Sequence, residues 1–566
     1  MTTSASQDAA RRDRLRWLVV LAAIAGCESP ARVKPWRHAP DPLDEATRAP
    51  RSPVLAADTA SAVIAERDHT LRIAMDAEPR SLNPLIAPSI WTRRIAMGTI
   101  YETLIRYASP DREYRSGLAR AWKVSPNGLE IRIELEPDVA FHDGKSMTSV
   151  DVQFTLDLIR SPRNNVDHLR WMLAEVEAVE LITSRELRLR LKRPDGWVLR
   201  ALAEIPILPM HVHDRDLGAG GAIVGTGPWR LASWKDGTVH LSAWARHRSP
   251  PAIADVEFVS SPDAADALTR AKRGEFDLIA ELIPAHWPEQ ASAPGIAASF
   301  SALELAPARM RYVVFDCTAP PTDDVRVRQA LGLLVDRRGL ARDVYDGLAR
   351  PIVAPIWPGG PIDGAAPEVP AFDPAAAARL LDDAGWIDSD KDGVRDRAGK
   401  QLRLDVIVVE RATARDDPDA PPSARGVPER DRILEAWKRA GIAIDVRQGS
   451  EAVLANRIRE RAFDAAFVEW SGVVDMDLSP WLASGRSENA SGISSRRLDR
   501  ALEAMGVVWD PKARAAHAAE IAAAFAEAMP LAPIVAAAPQ GLVHRRVKGV
   551  VVWDGWVDLT RLSIGP

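Results

Sequence analysis

Leu129, Ile131, Ile133 and Leu135 alternate with Glu130, Arg132 and Glu134, the period of a strand with one face in a core and the other in water. Residues 71–75 read as a strand too. The period then changes in FHDGKSMTSVDVQFTLDLIR (141–160): Asp143-Gly144 makes a turn, Thr148 is an N-cap with Asp151 at the capping-box position, and Val152, Leu156 and Ile159 share one helical face. Asp373-Pro374 opens a further helix that an alanine-leucine run carries to Ala384 and Gly385 ends. Residues 402–409, 428–440 and 442–446 follow as strand, helix and strand, with Gly441 as the second helix stop. The pattern predicts a mixed α/β fold with parallel-sheet character in the C-terminal half. Residues 411–427, rich in Asp, Pro and Ala, read as a surface loop, and no internal repeat occurs.

The N-terminus follows a different logic. A basic stretch, Arg11 to Arg16, precedes the apolar run WLVVLAAIAGC, which is too short to span a bilayer and ends on small residues before Cys27. This predicts a secretory signal over 1–27, and Ile24-Ala25-Gly26-Cys27 resembles a bacterial lipobox whose cysteine carries lipid. Residues 28–68 hold Pro30, Pro35, Pro40, Pro42, Pro50 and Pro53, so no continuous helix or ladder fits and a tether is expected. The most apolar later stretch, 521–543, is broken by Glu527, Pro530, Pro533 and Pro539, and reads as a soluble helix end rather than a membrane span.

With Cys27 lipidated, Cys317 has no partner, so stability rests on core burial, for which 566 residues at 46% hydrophobic provide two or three lobes. Cys317 follows the strand-like 311–316 and reads as an inert buried thiol. A net charge of −5 with no concentrated basic face argues against a nucleic-acid partner.

Enzyme signatures fail on spacing. Gly144-Lys145-Ser146 lacks the glycine five positions earlier that a phosphate loop needs, because Val139 stands there. Gly225-Thr226-Gly227 runs into Pro228-Trp229 and has no third glycine. His211 and His213 have no third ligand nearby and read as part of a loop after Pro206 and Pro209. Asp388, Asp390, Asp392 and Gly393 match the first half of a calcium loop, but the twelfth position is Gly399 instead of glutamate, and a solvated turn accounts for them. No cofactor is implied, and no nucleophile, base and orienting group assemble.

Eight segments in order, EPRSLNP (78–84), IYETLIRY (100–107), GLARAWKVSPNGLEIRIEL (117–135), FHDGKSMTSVDVQFT (141–155), GTGPWRLASW (225–234), DDVRVRQALGLLVDR (323–337), FDPAAAARLLDDAGW (372–386) and FDAAFVEWSG (463–472), resemble the dipeptide/oligopeptide-binding proteins of ABC importers, the family 5 extracellular solute-binding proteins. The resemblance implies a two-lobed, periplasmic-binding-protein-like clamshell of class II with an extra domain inserted in the first lobe. Lobe I would comprise 69–108, 211–306 and 531–566, the inserted domain 109–210, and lobe II 307–530. It further implies a monomeric, non-catalytic protein that takes a peptide or peptide-like solute and passes it to permease and ATPase subunits, periplasmic or at the cell surface, with the membrane reached through lipid on Cys27 alone. A sensor that keeps the fold without transport is the competing reading.

Peptides are held in this family through their backbone and by charged side chains at their termini. The amine-anchoring carboxylate lies three residues after the tryptophan equivalent to Trp470, where this chain has Val473; the nearest carboxylates are Asp475 and Asp477. Three before it, where an oligopeptide-binding relative has arginine, stands Phe467. Two readings stay open: Asp475 reaches an amine after a one-residue shift, or the cleft takes a more apolar solute. Trp470, flanked by Glu469 and Ser471 at a strand end, is the leading cleft residue, since an aromatic surface gives contact area and a carboxylate pairs with a cation. Ile90 and Trp91 are expected to face the gap from the other lobe, and Tyr312, Phe315 and Trp357 complete the set.

Overall fold

The computed structural model describes residues 69–566 except 87–88, 109–112, 165, 214–221, 283–285, 287–289, 306–308, 357–367, 410–427, 472–476, 554 and 566. Cys27, the tether, Trp357, Asp475 and the loop 411–427 therefore lie outside the described residues.

Two large sheets organise the chain. The first has seven strands in the spatial order Phe300–Glu304, Gln540–His544, Leu278–Ile279, Thr70–Met75, Asp255–Ser260, Thr238–Ala243 and Trp229–Lys235. The second has six, in the order Ala349–Pro351, Leu531–Ala537, Arg309–Phe315, Ala465–Ser471, Arg403–Val409 and Ala443–Gly449. Arg403–Val409 runs parallel to both of its neighbours, joined to Ala443–Gly449 through the helix Pro428–Arg439, so the parallel character expected of this half is present. Between the strands of the first sheet is inserted a four-stranded antiparallel sheet built from Ala119–Val124, Glu130–Leu135, Glu186–Leu191 and Val176–Thr183. Leu71, Ile105, Ile133, Leu156 and Leu202 belong to one continuous core, which fuses the inserted sheet to the first.

The caps read from sequence are in place. Thr148 and Asp151 form the reciprocal capping box of Ser149–Arg160. Asp373 accepts from Ala376 N at the start of Pro374–Asp383, and Gly385 and Gly441 turn the chain at φ +82° and +84°. His211 and His213 instead sit in one helical turn, Met210–His213, with His211 Nε2 2.6 Å from Asp143, because Pro209 at the head of the turn presets helical φ. No helix among the described residues is long and apolar enough to cross a membrane. The stretch 521–543 holds the end of helix Pro511–Ala528 and a strand buried between two others.

That strand corrects a boundary. Leu531–Ala537, expected in lobe I, pairs with Arg309–Phe315 and Ala349–Pro351 in the second sheet, and only Gln540–His544 returns to the first. Every residue from Leu531 to Ala536 is buried, so its main-chain groups require a ladder on both sides, and the second sheet supplies it. The return comes at 538–539.

The chain passes between the sheets twice in this neighbourhood, and the two passages are adjacent. Glu304 is paired with Gln540 on one side, Arg309 with Ala537 on the other, and Leu305 N donates to Pro539 O at 2.9 Å between them. Two connections that leave and enter the sheets beside each other are the arrangement that a hinge between two lobes requires.

Gly225 and Gly227 pack backbone on backbone: a Cβ would lie 1.9 Å from Ile100 O at the first and 2.1 Å from Thr99 O at the second. Gly225→Ala is expected to destabilise the first lobe by about 2–3 kcal/mol, whereas Gly295→Ala, with nothing within 4 Å of its Cβ, should be neutral. Thermal melts of the two variants check this; equal melting temperatures would contradict it.

Candidate functional site

The second sheet presents to the first the end where Arg309 begins one strand and Trp470 closes its neighbour. Strand alternation sorts the residues there onto opposite faces. Arg311 stands across from Glu469, and Met310 across from Trp470. Glu469 therefore shares a face with Phe467 and Phe315, over the helix Pro428–Arg439, while Trp470 shares the other face with Tyr312.

On the first face the charges satisfy one another. The Arg311 guanidinium lies 3.1 Å from Glu429 and 3.0 Å from Glu469, and the Tyr345 hydroxyl donates to Glu429. Burial pushes the Glu429 carboxyl above its ordinary value. Arg309 Nη2 reaches Glu281 of the first lobe at 2.8 Å, an ion pair tying the two sheet ends beside the double crossing. Glu469, expected to meet a solute cation, is committed instead to Arg311, because the ladder register places the two directly opposite.

On the second face lies an aromatic row. Tyr312 meets Trp470 at 4.9 Å between ring centroids, Trp470 meets Trp481 at 6.0 Å, and Trp481 meets Trp171 of the inserted domain at 5.8 Å, edge on. Trp470 and Trp481 are half-buried, and Trp171 is 38% exposed. Trp481 is positioned by the one-turn helix Ser479–Leu482, whose first amide, Ser479 N, donates to Asp477 at 2.9 Å. Asp477 thus closes an Asx turn just before that helix.

Other residues of the expected set are displaced into cores by their neighbours. Phe315 and Tyr312 are fully buried. Phe467 packs at 6.4 Å from Trp437. Trp91 is sealed between Phe258 and Trp556, its indole N–H on Asp76, and Ile90 packs half-buried on the same core. Ser471 stands across from Arg309 in the ladder. Of the set, the structure brings together Trp470 and Tyr312, and it adds Trp171 and Trp481, which no sequence motif singled out. The oxygens of Asp388, Asp390 and Asp392 lie within 4.8 Å of one another. Each carboxylate also accepts from a turn amide, of Gly393, Asp392 and Val394 respectively, which is what an Asp/Gly turn does unaided.

A second contact between lobes lies beyond the row. Arg514, on Pro511–Ala528, is fully buried: it donates to Val508 O at 2.9 Å and to Gly196 O of the inserted domain at 2.7 Å, and its guanidinium stacks 4.1 Å from the Trp197 ring. Gly196 N donates to Gly506 O at 2.7 Å. A side chain at Gly196 would place Cβ 2.1 Å from Val508 O, so only glycine permits the approach. Beside it, burial raises the Asp195 carboxyl to about 6, with Asp477 of the second lobe adding to the rise and Arg193 opposing it. Burial raises Asp477 as well.

Comparison with known proteins places this geometry. A family model for bacterial extracellular solute-binding proteins, family 5 (middle region), matches residues 113–491. The chain is 26% identical over 490 residues to protein XP55 of Streptomyces lividans, covering 81% of each. It is 25% identical over 345 residues to the dipeptide-binding protein of Escherichia coli, covering 56% of this chain and 63% of that one. The crystal structure of the ABC transporter substrate-binding protein CtaP from Listeria monocytogenes superposes with a TM-score of 0.70 at 20% identity, covering 88% of this chain and 99% of that one.

Two outcomes follow from the second contact. Gly196→Ala should part the inserted domain from the second lobe without unfolding either, read as a larger radius of gyration in small-angle scattering with the circular dichroism unchanged; a parent-like radius would contradict the role given to Gly196. Because the folded-state pKa of Asp195 is raised, its stabilising contribution is full below the unfolded value and is lost as pH rises through about 6. Amide protection around Gly196 and Gly506 should fall across that window, and Asp195→Asn should flatten the profile; an unchanged profile in the variant would refute the assignment.

Proposed function

The chain belongs to the bacterial extracellular solute-binding proteins of family 5, and we propose that it captures a peptide or peptide-like solute between its lobes and delivers it to an ABC permease. Proteins of this family are transport-associated binding proteins of the periplasm or cell exterior, not enzymes. The observation that carries the reading is the double crossing between two independent sheets, with half-buried Trp470 at the end of the second sheet that faces the first. Rotation about two neighbouring connections lets the lobes part and meet, and a solute touching both lobes favours the shut state by its differential affinity for it. The transporter then meets a distinct loaded shape. The signal sequence, the lipobox cysteine Cys27 and the proline-rich 28–68 support a lipid-anchored, monomeric protein held off a membrane by its tether, with two permease subunits and two ATPases as partners.

One observation favours the sensor reading as an alternative. The carboxylates nearest Trp470 among the described residues are engaged within the protein, Glu469 by Arg311 and Asp477 by Ser479, and Val473 stands where the family anchors a free amine. A solute held without that anchor needs no peptide terminus, and the output need not be import. Co-purification with a permease separates the two.

Native mass spectrometry of protein purified without refolding should show a retained small molecule. Trp470→Ala should abolish its retention while leaving the thermal melt two-lobed and cooperative; retention unaltered by the substitution would remove Trp470 from the site.

A further inference from the structure

We infer that Trp171 and Trp481 are specificity-determining residues which, with Trp470, form an aromatic jaw selecting solutes that carry a flat apolar group such as an aromatic side chain. This rests on the reading of the gap as the solute site and names the class of solute it takes.

Trp470 is the last residue but one of the strand Ala465–Ser471, Trp481 sits on a helical turn eleven residues on, and Trp171 stands on the single turn Trp171–Leu173 of the inserted domain. Three indoles from two lobes thus converge with successive centroid distances of 6.0 and 5.8 Å. Tyr312, fully buried at 4.9 Å from Trp470, is the floor that fixes the first ring. None of the three tryptophans is sealed: Trp470 and Trp481 keep part of their surface in water and Trp171 keeps 38%. Trp229 and Trp437, by contrast, are fully buried in the lobe cores. Indole faces left open at the meeting of two lobes offer large, rigid contact area at low entropic cost, and their quadrupoles favour offset or edge-on partners at 4.5–7 Å.

The polar groups around the row point the same way. Glu469 and Arg311 neutralise each other on the opposite face of the sheet. Asp477 accepts from Ser479 N in an Asx turn, and burial raises its pKa. Among the described residues, Glu469 and Asp477 are thus engaged within the protein, and the ring surfaces are what the row itself offers a solute. Because Trp171 belongs to the inserted domain and Trp481 to the second lobe, the jaw is complete only when the lobes are shut, which couples selection to closure.

The test uses tri-phenylalanine and tri-alanine as probes, titrated calorimetrically into the parent protein and into Trp171→Leu and Trp481→Leu. Leucine keeps the sites apolar, and the exposure of Trp171 makes its replacement tolerable to folding, which circular dichroism verifies. In the parent, tri-phenylalanine should bind about tenfold tighter than tri-alanine or better, and each variant should lose about tenfold of that preference while tri-alanine affinity stays put. Equal affinity of the parent for both probes, binding of neither, or a preference that survives Trp171→Leu would each overturn the jaw. A natural solute still retained by the parent and released by Trp470→Ala would leave the capture reading standing in that event, so the two can fail separately. A change in Trp171→Leu confined to the radius of gyration, with selectivity intact, would assign the row to holding the lobes together and would equally overturn the proposal.

Discussion

Everything this molecule can do between its lobes passes through one constraint: the chain leaves one sheet for the other at two neighbouring places, after Glu304 and after Ala537, each flanked by antiparallel pairing. Glu304 pairs with Gln540 and Arg309 with Ala537, and the Leu305 to Pro539 hydrogen bond lies between the two pairings. Two neighbouring connections restrict sliding of one lobe on the other more than rotation about the pair. The Arg309–Glu281 ion pair lies at this pivot. The Arg514 and Gly196 contact lies beyond the aromatic row and has to part if the lobes are to open there. Its burial and its main-chain hydrogen bonds mean that opening exposes polar groups that are now satisfied, so the shut state is favoured until water or a competing contact replaces them.

Much of the fold was legible in the residues because local chemistry decided it. The Thr148–Asp151 box, the Asp373 cap and the glycine stops at 385 and 441 act within a turn of helix, and a one-dimensional pattern contains all they need. The parallel strands of the second sheet announced themselves as apolar runs around a helix. The misplaced boundary at 531 shows where such reading ends. Nothing in LAPIVAAAPQGLVH says that its first half pairs with Arg309–Phe315 and its second with Phe300–Glu304, because that choice is made by partners more than 200 residues away.

The site was less legible for the same reason. Trp470 stood out as an aromatic at a strand end, but whether Glu469 beside it meets a solute or a buried arginine depends on register, and the register puts Arg311 opposite. Tyr312, Phe315 and Trp91, secondary candidates beside Trp470, are core, because aromatic residues in an α/β protein fill cores far more often than clefts. Trp171 and Trp481, brought together from positions 310 residues apart, carry no local signature at all. Gly196 carries no signal in the sequence, and only the facing Val508 carbonyl explains why nothing larger fits.

The central claim is that two rigid bodies turn about that pair of connections and shut on a guest. It is tested most directly by electron–electron resonance distances between spin labels at Lys272→Cys on the first lobe and Lys438→Cys on the second, both exposed, measured in protein stripped of solute and again after its native solute is returned. The account predicts a broad or two-component distance distribution that collapses to a single shorter population when solute binds. One narrow distance, identical with and without solute, would contradict it.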